Sequence, residues 1–111
     1  MDIKFNANED YNRLLSTDLK KKLLKVYKGG GEKRIAKIHA KGKLTARERI
    51  SYLLDHEEEA IEIGAFVGEE MYEEHGGCPS GGVVVKIGKV KGMQCIVVAN
   101  DASVKAGSWF P

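Results

Sequence analysis

The chain has 111 residues and a mass of 12.2 kDa, with 42% hydrophobic and 31% charged residues. That is enough for one small domain, which buries about 60–70% of its unfolded surface. The composition excludes a disulfide scaffold, a collagen-like chain and a wholly disordered one, and no window approaches the roughly 18–20 consecutive apolar residues of a membrane span.

The N-terminus, Met1-Asp2-Ile3-Lys4-Phe5, has no apolar core for a secretory signal and no Arg/Ser-rich amphipathic stretch. A bacterial-type cytoplasm is the expected compartment. Residues 9–28 read as a helix. Tyr11, Leu14, Leu15, Leu19, Leu23, Val26 and Tyr27 recur at three- and four-residue steps along one stripe. Lysines crowd its last turns, where cations favour the negative end of the helix dipole. Gly29-Gly30-Gly31 stops the helix and is expected to act as a flexible joint.

Residues 32–41 form a second helical pattern, with Ile35, Ala36 and Ile38 apolar, and Gly42 ends it. Thr45-Ala46-Arg47-Glu48 is a capping box opening a third helix, whose inward residues are expected to be Ile50, Leu53 and Leu54. Residues 60–64 are a short strand candidate with Ile61 and Ile63 on one face. Residues 65–82 read as a long loop, of the kind that is usually functional or mobile. Val83–Val90 and Met93–Asn100 are two β-branched runs joined by Lys91-Gly92, a pattern for a tight hairpin. Both runs are apolar through much of their length, so at least part of the pair is expected to be covered on both faces. A hairpin needs a third strand or a packed helix for independent stability. The chain therefore reads as cut within a domain, with a helical N-terminal region over 1–59 and the start of an incomplete domain over 60–111.

The net charge of +2 is unevenly divided: residues 1–50 carry 14 Lys and Arg against 6 Asp and Glu, residues 51–111 carry 4 against 10. The basic half suits a polyanion: nucleic acid, a membrane surface or a phosphorylated cofactor. A solvated basic face docked against an acidic neighbour is the structural alternative. Aromatics are few and do not interleave with the lysines, which counts against nucleic acid. Cys78 and Cys95, with His75, lack the two closely spaced ligand pairs of a zinc site, so no metal is expected. Cys95, in mid-strand, reads as a small core residue. His39 on a basic helix reads as a surface residue. No nucleophile elbow and no phosphate loop ending in Gly-Lys-Ser/Thr is present. On the residues alone, the chain is a basic helical arm joined to a β-hairpin.

One long pattern says more. Gly29-Gly30-Gly31-Glu32-Lys33-Arg34 is followed by Ile38-His39-Ala40-Lys41-Gly42-Lys43-Leu44-Thr45-Ala46-Arg47-Glu48-Arg49-Ile50 and by Leu53-Leu54-Asp55. Later come Gly81-Gly82-Val83-Val84, Gly88-Lys89-Val90-Lys91-Gly92 and Asn100-Asp101-Ala102-Ser103-Val104-Lys105-Ala106-Gly107. Over residues 9–111 this resembles the N-terminus of the carboxyltransferase (β) subunits of biotin-dependent acyl-CoA carboxylases. The Asn-Asp-Ala-Ser-Val-Lys stretch, with Trp109 and Phe110, resembles the methylcrotonoyl-CoA branch. A propionyl-CoA carboxylase-type β subunit is the alternative, as is a non-enzymatic basic helical binding or interface module.

The resemblance implies an α/β fold: a helical lead-in, then the first hairpin of a crotonase-like ββα superhelix. It implies transfer of a carboxyl group from carboxybiotin to an acyl-CoA, with biotin carried by a biotin carboxylase/biotin-carrier α subunit and the β subunits forming a homo-oligomer. It implies no nucleic-acid or membrane partner. Family members are several times longer, and the half that receives biotin is missing, so this piece is expected to be inactive alone. By position in the motif, Ala106 and Gly107 are candidate backbone oxyanion donors, the alternative being a loop glycine required only for positive φ. Lys33, Arg34 and Arg47 are candidate contacts to the CoA phosphates, the alternative for Arg47 and Arg49 being salt bridges.

Overall fold

The structure is a computed structural model that describes residues 2–111. Its elements are helices α1 (Ile3–Tyr27), α2 (Glu32–Ala40) and α3 (Ala46–Leu53), and strands β1 (Ile61–Ile63), β2 (Val83–Val90) and β3 (Met93–Asn100). Single 3-10 turns lie at Glu57–Glu59, Glu73–His75, Pro79–Gly82 and Lys105–Gly107. The strands form one antiparallel sheet in the order β1-β2-β3.

The hairpin has the expected bounds, with Val90 opposite Met93. Lys91 and Gly92 have φ of 50° and 78°. Two successive positive φ values match the right-handed twist of the flanking strands, but they suit Lys poorly. Asp55 offsets that cost from outside the hairpin. Its carboxylate accepts the N–H of Lys91 at 2.8 Å and of Gly92 at 2.7 Å. These bonds, Gly92's first, hold the Asp55 carboxyl below its ordinary value.

The core lies between α3 and the β2–β3 hairpin. Ala46, Ile50 and Leu54 pack on Val84 and Ala99, with Ala60, Val90 and Val97 at the margin. Gly88 makes room for this packing, since a Cβ there would lie 2.7 Å from Leu54 Cδ2. Ile50 and Leu54, four residues apart, share the buried face. Leu53 does not: it is 50% exposed, on a flank that no described element covers.

The opposite face of the sheet is covered only in part, at the half-buried Val85 and Ile87 of β2. Ile61, Ile87 and Ile96 stand in one cross-strand row, and Ile63, Val85 and Val98 in the next. Ile61, Ile63, Ile96 and Val98 are exposed. Ile61 and Ile63 do share a face, but it is the open one. The register that sets Glu62 opposite Lys86 turns Glu62 toward α3 instead.

Helix α1 starts before the expected residue 9, at Ile3, where the Asp2 side chain caps it by accepting the Lys4 N–H at 3.0 Å. Its apolar stripe is not a core face. Val26 is buried and Leu23 half-buried, whereas Tyr11, Leu14, Leu15, Leu19 and Tyr27 are exposed. Among the described residues no helix is long and apolar enough to cross a membrane.

Candidate functional site

The triple glycine is a docking surface, not a free joint. Past β3, the buried carboxylate of Asp101 accepts from the Ser103 N–H at 2.9 Å and the Ser103 hydroxyl at 2.5 Å. The Ser103 Oγ in turn accepts the Gly30 N–H at 2.8 Å, and Arg34 Nη1 donates to the Ser103 carbonyl at 3.1 Å. A Cβ on Gly30 would overlap the Ser103 carbonyl oxygen, and one on Gly29 would lie 2.7 Å from Asp101 Oδ2. Glycine is needed at 30 because backbone meets backbone, and at 29 because the Asp101 and Ser103 side chains close on it.

This clamp fixes the turn that follows it. Lys105, Ala106 and Gly107 have φ of 47°, 54° and 86°. For the two non-glycine residues such conformations cost about 1–3 kcal/mol each, so the surroundings must impose them. Val104, 1% exposed, anchors the turn. The Ser108 hydroxyl donates to the Lys105 carbonyl at 2.6 Å, and Lys105 Nζ donates to the Trp109 carbonyl at 3.2 Å while lying 4.3 Å from the Phe110 ring centre. The Gly107 N–H is spent on the Val104 carbonyl at 3.0 Å. The Ala106 N–H makes no hydrogen bond among the described residues.

Ala106 lies at the junction of two clefts. The larger, about 800 Å³, has Arg34, Lys37, Ile38 and Lys41 of the α2 region on one wall and Ala102, Ser103, Lys105 and Ala106 on the other. Tyr72, Glu74, His75, Phe110 and Pro111 complete it. Tyr72 and Phe110 are stacked, with ring centres 4.1 Å apart, and the Tyr72 hydroxyl donates to the Pro111 carbonyl at 2.5 Å. The second cleft, about 640 Å³, shares Ile38, Lys41, Ala102 and Ala106 and adds Lys43, Leu44 and Arg49. Among the described residues, Glu74 is the only carboxylate side chain lining either. Basic side chains outnumber it, with Arg34, Lys37, Lys41 and Lys105 in the larger cleft and Lys41, Lys43 and Arg49 in the second.

Of the residues singled out in the sequence, Arg34 and Ala106 come together in the larger cleft. Lys33 and Gly107 do not line it. Arg47 is elsewhere: one guanidinium nitrogen pairs with Glu62, another donates to Ser80 Oγ at 3.3 Å, and the group lies 4.7 Å from the Tyr27 ring centre. The side chains of Arg47 and Glu62 are only 17% and 11% exposed, so this is an internal tie between α3 and β1. Lys37, Lys41, Lys105, Tyr72 and Phe110 carry no mark in the sequence as site residues. One signal was there: Arg34, Lys37 and Lys41 follow the i, i+3, i+7 spacing of a single helix face.

The remaining titratable groups sit apart. His39 is half-exposed and lies 2.6 Å from Glu48 Oε1. That bond is the main reason the Glu48 carboxyl lies below its usual range, with Thr45 adding less. Cys78, rather than Cys95, is the buried cysteine, and burial pushes its thiol up. Both are free.

Residues 37–111 match the Carboxyl transferase domain family. The chain belongs to this family. It is 48% identical over 94 residues to the probable mitochondrial methylcrotonoyl-CoA carboxylase beta chain of Drosophila melanogaster, covering 85% of this chain and 16% of that one. It is 37% identical over 102 residues to the biotin-dependent 3-methylcrotonyl-coenzyme A carboxylase beta1 subunit of Mycobacterium tuberculosis, covering 92% and 19%. Among solved structures, the transcarboxylase 12S hexamer with methylmalonyl-coenzyme A and methylmalonic acid bound superposes with a TM-score of 0.75 at 33% identity, over 84% of this chain and 18% of that one. The beta subunit of geranyl-CoA carboxylase from P. aeruginosa gives 0.54 at 26% identity, over 93% and 17%. This carboxyltransferase family member thus spans less than a fifth of the length of these curated relatives. Its helical lead-in and small antiparallel sheet match that part of the carboxyltransferase fold, as the sequence resemblance implied.

Proposed function

We propose that this chain contributes the thioester-binding wall of a biotin-dependent acyl-CoA carboxyltransferase acting on 3-methylcrotonoyl-CoA. The observation that carries the reading is the unspent Ala106 N–H at the junction of two basic clefts. Carboxylation at a carbon conjugated with a thioester builds negative charge on the thioester oxygen. A fixed backbone N–H aimed at that oxygen stabilises the charge without reorganising. The strained turn over Lys105–Gly107 holds such a donor in place before the ligand arrives. Alanine at 106 serves as well as glycine, because the donor is main chain. Gly107 is set aside as a donor, since its N–H is already used.

Methylcrotonoyl-CoA as substrate rests on the names of the relatives from Drosophila and Mycobacterium. When bound, carboxybiotin supplies the carboxyl group. In this reading it arrives on an α subunit that bears the biotin carboxylase and carrier, and no residue of this chain is assigned to it. A homo-oligomer of β subunits is part of the same reading, in line with the hexamer assembly of transcarboxylase 12S.

The test uses the gene-encoded protein with its biotin-carrying partner, assayed on methylcrotonoyl, propionyl, geranyl and glutaconyl thioesters. The expected result is highest kcat/KM for methylcrotonoyl-CoA. Preference for propionyl-CoA would replace that substrate, and no turnover of any thioester would overturn the reading. Replacing the Ala106 amide by an ester removes the N–H and keeps the side chain. It should lower kcat by about 10²–10³-fold. An ester variant as fast as the parent removes Ala106 from the site.

A further inference from the structure

We infer that Arg47 is a positioning residue for the Ala106 N–H, acting through Ser80 and the turn at Pro79–Gly82. This rests on the carboxyltransferase reading and names what fixes its backbone donor besides the Ser103 clamp.

The glycine-rich stretch from Gly76 to Gly82 ends in a left-handed turn, with φ of 55°, 65° and 76° at Ser80, Gly81 and Gly82. Lys105, Ala106 and Gly107 repeat that pattern, and the two turns meet. The Gly82 carbonyl accepts the Asp101 N–H at 2.9 Å. A Cβ on Gly82 would lie 3.5 Å from Val104 Cγ1 and 3.8 Å from the Ser108 carbonyl oxygen. Val104 and Ser108 bracket the Lys105–Gly107 turn, so the first turn is the seat of the second.

Glycine adopts such φ values freely, but Ser80 must be held there. It is 7% exposed, and its hydroxyl is gripped from two sides. The Ser80 Oγ accepts from Arg47 Nη2 at 3.3 Å and donates to the Ala65 carbonyl at 3.2 Å. The Gly81 N–H adds a bond to the Val67 carbonyl at 2.7 Å. Arg47 is itself fixed by Glu62 of β1 and by the Tyr27 ring at the end of α1. One guanidinium thus ties α1, α3 and β1 to the turn that seats Ala106.

The cost of this arrangement argues that it serves geometry. Among the described residues, Arg47 Nε and Glu62 Oε2 are buried without a hydrogen-bond partner. A desolvated ion pair with orphaned atoms adds little stability over an apolar pair of similar volume. What it supplies is a rigid planar fork that reaches Glu62 with one nitrogen and Ser80 with another. A donor that stabilises developing charge must be in place before the charge appears. Loss of the Arg47–Ser80 bond should therefore appear in kcat and not in KM.

The test uses the gene-encoded protein with its biotin-carrying partner and the acyl-CoA it turns over fastest. The variants are Arg47→Lys, which keeps the charge beside Glu62 and loses the fork, Ser80→Ala, and the two combined. Each single variant should lower kcat about tenfold, less than loss of the donor itself, with KM within about twofold of the parent. The double variant should be no slower than the slower single one, because both changes cut one bond. Deuterium exchange read by mass spectrometry supplies the second measurement. The Gly107 and Ser108 amides, bonded to the Val104 and Lys105 carbonyls, should exchange about tenfold faster in each variant, while those of the β2–β3 hairpin keep the parent rate. Equal acceleration in turn and hairpin, a rise in KM with kcat unchanged, or parent-like kcat and exchange overturns the assignment while the carboxyltransferase reading stands. If the parent turns over no acyl-CoA, both fall. Should Arg47→Lys fail to fold, Ser80→Ala, which leaves the Arg47–Glu62 pair intact, decides by the same two measurements.

Discussion

Gly30 donates its backbone N–H to the Ser103 hydroxyl at 2.8 Å, a bond that spans 73 residues of chain. It joins the α1–α2 junction to the turn that carries Ala106. The α2 cation row and the Ala106 N–H are therefore positioned by one clamp, in which the buried Asp101 carboxylate holds the Ser103 hydroxyl. A defect at Gly30, which does not itself line the cleft, should reach it through Ser103.

Gly30→Ala is the direct probe. Gly30, unlike Gly29 and Gly31, is not in the left-handed region, so the substitution tests space rather than backbone strain. Overlap with the Ser103 carbonyl should destabilise the protein by about 1–3 kcal/mol. Urea unfolding should show this, together with weaker CoA binding. An unchanged midpoint would mean that the two segments separate easily.

The Asp55 carboxylate should make the hairpin acid-sensitive. Its folded pKa is depressed, by the Gly92 N–H first and the Lys91 N–H second. Such a group contributes stability above the unfolded pKa of about 4, and that contribution is lost as pH falls through the lower folded value. Asp55→Asn should thus lower the melting temperature at pH 6. The gap to the parent should narrow progressively below about pH 4. A gap constant with pH would show that the carboxylate charge is not what holds the turn.

Thr45 should behave as a helix cap. Its hydroxyl accepts the Glu48 N–H at 3.2 Å. Thr45→Ala should cost about 0.5–2 kcal/mol, with or without CoA present. Glu48→Gln should matter less, and only above the depressed pKa of that carboxyl, because its main partner is His39. A Thr45→Ala protein whose ligand-free melting temperature is unchanged would show that the cap contributes nothing.

Ile50 and Leu53 should separate sharply although they share α3. Ile50 is 1% exposed at the centre of the core, and Ile50→Ala should cost about 2–5 kcal/mol. Leu53 is half-exposed, so Leu53→Ala should stay within about 0.5 kcal/mol. Denaturant midpoints of the two variants decide it. Equal losses would mean that Leu53 is covered in solution.

The sequence by itself determined the local elements. The hairpin from Val83 to Asn100, the stop at the triple glycine and the Thr45 cap all depend on residues a few positions apart, so their patterns survive in one dimension. The family could be read for a related reason, since its motifs run over most of the chain. Tertiary structure decided what depends on distant partners. The register of β1 on β2 turned Ile61 and Ile63 to the open face and drew Glu62 to Arg47, removing Arg47 from the cleft. Asp55 reached a turn 36 residues away, and Ser103 made the triple glycine a contact rather than a joint. The choice of Ala106 over Gly107 rested on a single hydrogen bond to Val104. Composition and periodicity say which side chains want burial or charge. They do not say which backbone N–H is left over once a particular pair of segments has met.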